Sequence, residues 1–520
     1  MTFDVSDLLN SAPLLLLTVA GLVLMLLDAF SRSKLVGAPY QKSMPAETSE
    51  AYSVALAGSR GYLMPVTVLA LLGVLATIAW LPGQIQGDHG VYLYREMLVL
   101  DRFGLLVSAI CVIGALLGVL TAPAFLRAHG LEMGEYYALV LFSLAGMVIL
   151  VMASDLVSIF LGVETMSLGV YVLAGMWRKS QRSAEAAMKY FLVGAFVSGL
   201  LIYGIALIYG SVGTTVLSEI RSRAPSFANR PLFYIGWMLV LVTFLFKVAA
   251  VPFHMWAPDT YDGAPTPVSG FMMTGVKAAG FAGMVRLFAV TLGDPANSLQ
   301  AYTGWVHAAY GIAILTMTLG NLAALHQESI KRMLAYSSIA HAGYLLIGLI
   351  AMPVVGDAAR GPFLFYIAAY TITVVGAMGV VGWLSRDRRG GERLTLDDWA
   401  GMGQRHPAGA LAMTIFLLSL GGFPPTAGFF GKFYLFRVAL EKPSLLPLVL
   451  VGIANSLISV YYYLRVITAM YFRSPAPSSE PASDPLTSNS LAVGVLLCAL
   501  LVLGLGIMPE WLANLCAAAR

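Results

Sequence analysis

Three lysines and one glutamate stand where a side chain would have to hold charge inside hydrocarbon. Glu164 lies midway along the apolar run LVSIFLGVETMSLGVYVLAG. Lys247 and Lys277 flank a proline-interrupted stretch, KVAAVPFHMWAPDTYDGAPTPVSGFMMTGVK, and Lys432 follows a second interrupted run, LLSLGGFPPTAGFFGK. An unpaired ammonium is costly in lipid, so an ionisable residue in such a place is by default a candidate functional group. Groups that change charge state at little cost are what a proton relay needs. Moving a proton against roughly 200 mV costs about 4.6 kcal/mol, at about 2.3 kcal/mol per 100 mV. Making or breaking one buried Glu–Lys pair is an electrostatic change of that order, and Lys247 is the natural partner for Glu164.

The competing reading is a set of structural ion pairs that join helices. Against it, three amines to one carboxylate leave the charges unbalanced. A lysine near a helix end can also reach the interface, an option less open to Lys277 than to Lys247. His307, in WVHAAYGI, and His341, in YSSIAHAGYLLIG, are candidate shuttles, since imidazole titrates near neutrality; each reads equally as a hydrogen-bonded interior residue. Tyr336, Ser337 and Ser338 could hold water beside His341. Asp259 and Asp262 are expected to cap or tie down the polar run after the first interruption, and His254 to cap it or face water.

The elements that position these groups follow from the apolar runs. The chain has 520 residues, 58% hydrophobic and 11% charged, with a mean hydropathy of +0.80, which places it among all-α polytopic membrane proteins. Runs at 12–30, 62–81, 103–121, 136–153, 156–177, 187–209, 233–251, 267–292, 303–325, 333–352, 363–384, 409–440, 445–472 and 489–508 predict about fourteen transmembrane helices. The first has no basic flank or AxA-type cleavage site and is read as a retained helix. Pro252, Pro258, Pro265 and Pro267 must break the chain between Lys247 and Lys277, with the helix ending near Val251. Gly421, Gly422, Pro424, Pro425 and Gly428 do the same before Lys432. Broken helices at membrane depth are tolerated only where the freed backbone is buried in protein or faces water, and a pair of them suggests an internal repeat.

A net charge of +4 spread among loops gives no nucleic-acid partner. Cys111, Cys498 and Cys516 have neither disulfide nor iron–sulfur spacing, no metal site is indicated, and no GxGxxG follows a strand. The residues at 31–61 and 474–488 are Pro/Ser-rich and read as surface loops. Odd-numbered loops hold more basic residues, Lys34, Lys42, Arg178, Lys179, Lys331, Arg332 and Arg386 among them. The even-numbered loops, with Arg95, Arg221, Arg286, Arg360 and Arg437, hold roughly half as many. The odd loops are therefore expected in the cytoplasm and both termini on the other side.

KVAAVPFHMWAPDTYDGAPTPVSGFMMTGVKAAGFA, RSAEAAMKYFLVGAFVSGLLIYGIALIYG, NLAALHQESIKRMLAYSSIAHAGY and LLSLGGFPPTAGFFGKFYLF together resemble the antiporter-like subunits of proton-pumping NADH:quinone oxidoreductase, respiratory complex I, nearest to the N type. The resemblance spans residues 135–472. It implies two inverted five-helix repeats, each with a broken helix, at 135–292 and 293–472. Three helices within 1–134 would precede them, and a loop with a last helix at 473–520 would follow. It also implies that Glu164 modulates Lys247, that Lys277 is the central connecting lysine, and that Lys432 lies on the exit side. Lysine rather than glutamate at 432 favours the N type over its M-type sister. NADH, FMN, iron–sulfur clusters and quinone would sit on partner subunits, with no cofactor in this chain. Its partners would be the lipid bilayer of the bacterial cytoplasmic membrane and adjacent antiporter-like and small membrane subunits. The same fold serves D-type subunits of multisubunit sodium/proton antiporters, which the four charged residues alone do not separate.

Overall fold

Long apolar runs closed by polar caps dictate the helices. A computed structural model describes residues 5–36, 60–85, 90–227, 231–293, 304–384, 392–474 and 488–519. The first six long helices are α1 (Ala12–Val36), α2 (Leu63–Trp80), α3 (Arg102–Ala128), α4 (Gly134–Met152), α5 (Leu156–Ala174) and α6 (Gln181–Val212). Asp101 caps α3 through the amide of Gly104, Asp155 caps α5 through Val157 and Ser158, and Ser180 caps α6 through Ser183. A short amphipathic helix, α7 (Leu217–Phe227), precedes the first broken pair, α8 (Pro231–Lys247) and α9 (Trp256–Gly263). Next come α10 (Thr266–Thr291), α11 (Trp305–Leu325), α12 (Ile330–Val355) and α13 (Arg360–Leu384). The second broken pair is α14 (Pro407–Gly421) and α15 (Ala427–Ala439), followed by α16 (Leu446–Phe472), α17 (Asn489–Ile507) and α18 (Pro509–Ala518).

Among the described residues, twelve helices are long and apolar enough to cross a membrane, and α8 and α14 are shorter apolar helices that end at breaks. Together they fall on the fourteen runs read from the sequence. The chain is an integral, all-α membrane protein, with one small hairpin among the described residues. Val91–Leu93 and Leu98–Leu100 form an antiparallel hairpin, pairing Val91 with Leu100 and Leu93 with Leu98. α10, α12 and α13 are almost wholly enclosed by other helices and form the middle of one continuous core. α6 and α16 instead turn Phe191, Phe196, Tyr203, Leu450, Leu457 and Tyr461 outward, as expected for faces that meet lipid or a partner.

The charge-bias reading needs correction. Arg286 is not a loop residue. It is buried in α10 and grips Asp101 with its two terminal nitrogens, at 2.5 and 2.6 Å, while its Nε donates to the carbonyl of Val151. Lys331 is not a solvated loop charge either; it is 0% exposed. Most of the two Pro/Ser-rich loops, with Lys42, lies outside the described residues, as does Arg386.

Candidate functional site

The first break comes earlier than expected. α8 stops at Lys247 rather than near Val251, because Ala249 takes a left-handed conformation, φ 58°, that turns the chain out of the helix. Two groups freed there find side-chain partners. The indole of Trp256 donates to the carbonyl of Phe246 at 3.1 Å, and the amide of Val251 donates to Thr316 Oγ1 on α11 at 3.0 Å. At the second break Gly422, φ 83°, ends α14, and its amide returns to Leu418 and Ser419. Gly428 must be glycine, since a Cβ there would lie 1.9 Å from the carbonyl oxygen of Ser419.

These breaks deliver the lysines into the protein. Lys247, Lys277 and Lys432 are each at most 5% exposed. Lys247 donates to Ser167 Oγ at 2.8 Å and to the Tyr171 hydroxyl at 3.3 Å. Lys277 donates to the carbonyl and the hydroxyl of Ser338. Lys432 reaches back to the last carbonyls of α14, Leu420 at 2.9 Å and Gly421 at 3.2 Å, and to Ser456 Oγ at 2.9 Å. The C-terminal end of α14 carries partial negative charge, which favours an ammonium there. All three lysines thus donate to a serine hydroxyl, and among the described residues none of them touches a carboxylate.

Glu164 differs from expectation on this point. It is half-buried, it accepts from Ser198 Oγ on α6, and it makes no contact pair with Lys247. Glu164, Ser167 and Tyr171 stand three and seven residues apart on α5, so they share the face that receives Lys247.

Lys277 follows a wide π-helical turn, Met272–Val276, and a second one, Val285–Thr291, closes α10. Such turns recur at functional sites, and nothing in the sequence announced them. A chain of aromatic rings runs from beside Lys247 to Lys277. Tyr171 meets Tyr190 edge-on with centroids 4.7 Å apart, Tyr190 stacks on Trp256 at 4.3 Å, and Trp256 meets Tyr261, whose ring lies 6.0 Å from Lys277 Nζ.

Beyond Lys277 the path is polar. His341 shares hydrogen bonds with the hydroxyls of Tyr366, at 2.7 Å, and Tyr463, at 3.3 Å, and Tyr463 also bonds Ser337. Tyr462, beside Tyr463, donates to Asn321 Oδ1 at 2.9 Å. Asn321 Nδ2 in turn reaches Tyr344 and Asn455. The ring of Tyr344 lies 5.2 Å from Lys432 Nζ, and Asn455 adjoins Ser456, which binds Lys432. His341 therefore joins the row. His307 does not: it stands in the first turn of α11 with its side chain exposed on the outer surface. Tyr336 makes no bond to His341's partners, whereas Ser337 joins them through Tyr463 and Ser338 holds Lys277.

Asp259 and Asp262 tie segments together as expected. Asp259 pairs with Lys189 at 2.7 Å and Arg332 at 2.8 Å, and Asp262 accepts from Ser329 at 2.7 Å. The tyrosines and asparagines were missed. The available signal was the recurrence of Asn321, Asn455 and the Tyr461–Tyr463 run inside otherwise apolar helices. Among the described residues no cluster of His, Cys, Asp or Glu could hold a metal ion.

The model of a membrane family described as NADH:quinone oxidoreductase/Mrp antiporter matches residues 153–459. NADH-quinone oxidoreductase subunit N 1 of Sorangium cellulosum is 43% identical over 503 residues, 96% of this chain and 95% of that protein. A chain of respiratory complex I from Thermus thermophilus superposes with a TM-score of 0.75 at 30% identity, covering 97% of this chain and 99% of that one. A chain of the Mrp complex of Dietzia sp. DQ12-45-1b shares the fold, with a TM-score of 0.77 at 23% identity over 98% and 97% of the two chains.

Proposed function

The chain belongs to the NADH:quinone oxidoreductase/Mrp antiporter membrane family, and we propose that it serves there as a proton-translocating membrane subunit of an NADH-quinone oxidoreductase. The observation that carries this reading is the row of three buried lysines, each bound to neutral hydroxyls or carbonyls and none held by a carboxylate. A hydroxyl rotates, so it accepts from an ammonium and donates to an amine. Each lysine can therefore release and regain a proton without leaving a partner stranded. Ion pairs built only to hold helices together would need carboxylates at these positions.

In this reading Glu164 is the electrostatic control. A carboxylate near an ammonium favours its charged form, so a shift of Glu164 towards or away from Lys247, against its hold on Ser198 of α6, sets how readily that lysine gives up its proton. The proton leaving Lys247 passes to Lys277, then by Ser338, His341, Tyr463 and the asparagine pair to Lys432. The halves 135–292 and 293–472 act as the two repeats, each supplying one broken helix. Redox chemistry takes place on partner subunits, with NADH, FMN, iron–sulfur clusters and quinone there, and membrane subunits beside this one pass on the energy. We place the chain in the bacterial inner membrane with both termini extracytoplasmic, from the loop charges.

Two gradients separate this reading from a sodium/proton exchange subunit. In liposomes holding the purified assembly, NADH with quinone acidifies one compartment if the oxidoreductase reading is right. Proton movement driven by a sodium gradient, with none driven by NADH, would replace it with the antiporter reading.

A further inference from the structure

Three residues of one turn, Ser329, Lys331 and Arg332, hold the segment that joins Lys247 to Lys277. Ser329 caps α12, and its hydroxyl donates to Asp262 on α9. Lys331, wholly buried, donates to the carbonyl oxygen of Ala264 at 2.8 Å and to Glu392 Oε2 at 3.1 Å. The other Glu392 oxygen accepts from Thr266 Oγ1, on the first residue of α10. Arg332 pairs with Asp259, also on α9. Glu392 is itself anchored to this turn, because the residues after it bond along the chain: Ile330 N donates to Leu394 O at 2.8 Å, and Leu396 N to Glu328 O at 3.2 Å. One helical turn therefore grips α9, the residue that ends it, and the start of the helix that carries Lys277.

The same helix receives Lys277. Ser338 lies seven residues, or two turns, beyond Lys331, which puts both on one face of α12. An α-helix is stiff over that length, rising 1.5 Å per residue. A displacement of the half-helix beyond the Lys247 break would thereby reach the contact that holds Lys277, in addition to the direct packing of Lys247 near Gly280 and the chain of aromatic rings described above. An element whose position both sites bias is the physical basis for coupling them.

We propose that this turn is a mechanical clasp: Lys331, Arg332 and Glu392 are positioning residues that make α9 and α12 move together, so that a change at Lys247 resets the Lys277–Ser338 contact. The proposal rests on the proton-pumping reading, and its test includes wild type so that the two can fail separately.

Stability and positioning come apart in a double replacement. Lys331→Met alone strands a buried carboxylate and should lower assembly, whereas replacing both partners with apolar residues removes the stranded charge. In the purified assembly, Lys331→Met/Glu392→Met is expected to recover wild-type assembly yet pump fewer than half as many protons per NADH oxidised. Arg332→Gln, at a partly exposed pair, serves should the double variant not assemble. It is expected to lower the same ratio, and Arg332→Lys to restore it. Wild-type ratios in the assembled variants overturn the clasp and leave the pumping reading standing. Absence of pumping by wild type overturns both.

Discussion

Lys277 places two hydrogens on a single residue: its ammonium donates to the carbonyl of Ser338 at 2.6 Å and to the hydroxyl of the same serine at 2.5 Å. The carbonyl fixes the ammonium, while the hydroxyl can reverse its role as the charge changes. Ser167 offers Lys247 a hydroxyl of the same kind, and Ser456 offers one to Lys432, each without a contact from its own carbonyl.

Removing the reversible partner should slow the relay without dismantling the site. A hydrogen bond to a charged group contributes about 1.5–3 kcal/mol, and part of that is kept by the remaining acceptor. Ser338→Ala is expected to lower NADH-driven pumping about 3- to 10-fold, with assembly unchanged. An unaltered rate would show that the hydroxyl takes no part.

Tyr463 makes a second test, since its hydroxyl serves both Ser337 and His341. Tyr463→Phe leaves these two buried groups short of a partner, at a cost of about 1–3 kcal/mol. Pumping and thermal stability should both fall. His307→Ala, on the outer face of α11, should change neither. Comparable losses in the two variants would place the path elsewhere.

The second break depends on the absence of a side chain at one point. At Gly428 a methyl group would sit 1.9 Å from Ser419 O, far inside contact distance. Gly428→Ala must therefore push α15 from α14, with an overpacking cost of about 1–3 kcal/mol. Less assembled complex and a lower melting temperature are expected, measured by blue-native gel and thermal shift. Wild-type values would mean that the break yields without penalty.

Arg286 offers a prediction about architecture alone. Arg286→Ala leaves Asp101 without its clamp, and breaking a buried pair costs about 3–5 kcal/mol; Asp101 keeps some water contact, so the lower end applies. Assembly should drop sharply, and Asp101→Asn on top of it should recover part of the loss. If the two losses simply add, the pair does not act as a unit.

The sequence made some features legible and hid others for physical reasons. Long apolar runs, caps and proline clusters are local signals, so the helices and both breaks could be read along the chain. Charged residues within apolar runs are rare enough to be conspicuous, which is how Glu164 and the three lysines stood out. The partner of each lysine is a serine 24 to 80 residues away, and serine in an apolar helix is too ordinary to mark. The same holds for the absence of a Glu164–Lys247 contact. Opposite charges suggested a pair, but Ser198 claims the carboxylate. Lys331 misled for a different reason. It adjoins Arg332 at a helix start and reads as a solvated pair, yet Ala264 and Glu392 close over it from distant segments.

The central claim is that Lys277 carries protons between the two broken helices. Proton uptake driven by NADH, in liposomes holding the intact assembly, tests it with wild type beside Lys277→Ala. The account predicts that the variant assembles, and that pumping falls to less than a tenth of wild type. Pumping at the wild-type rate in the assembled variant would contradict it.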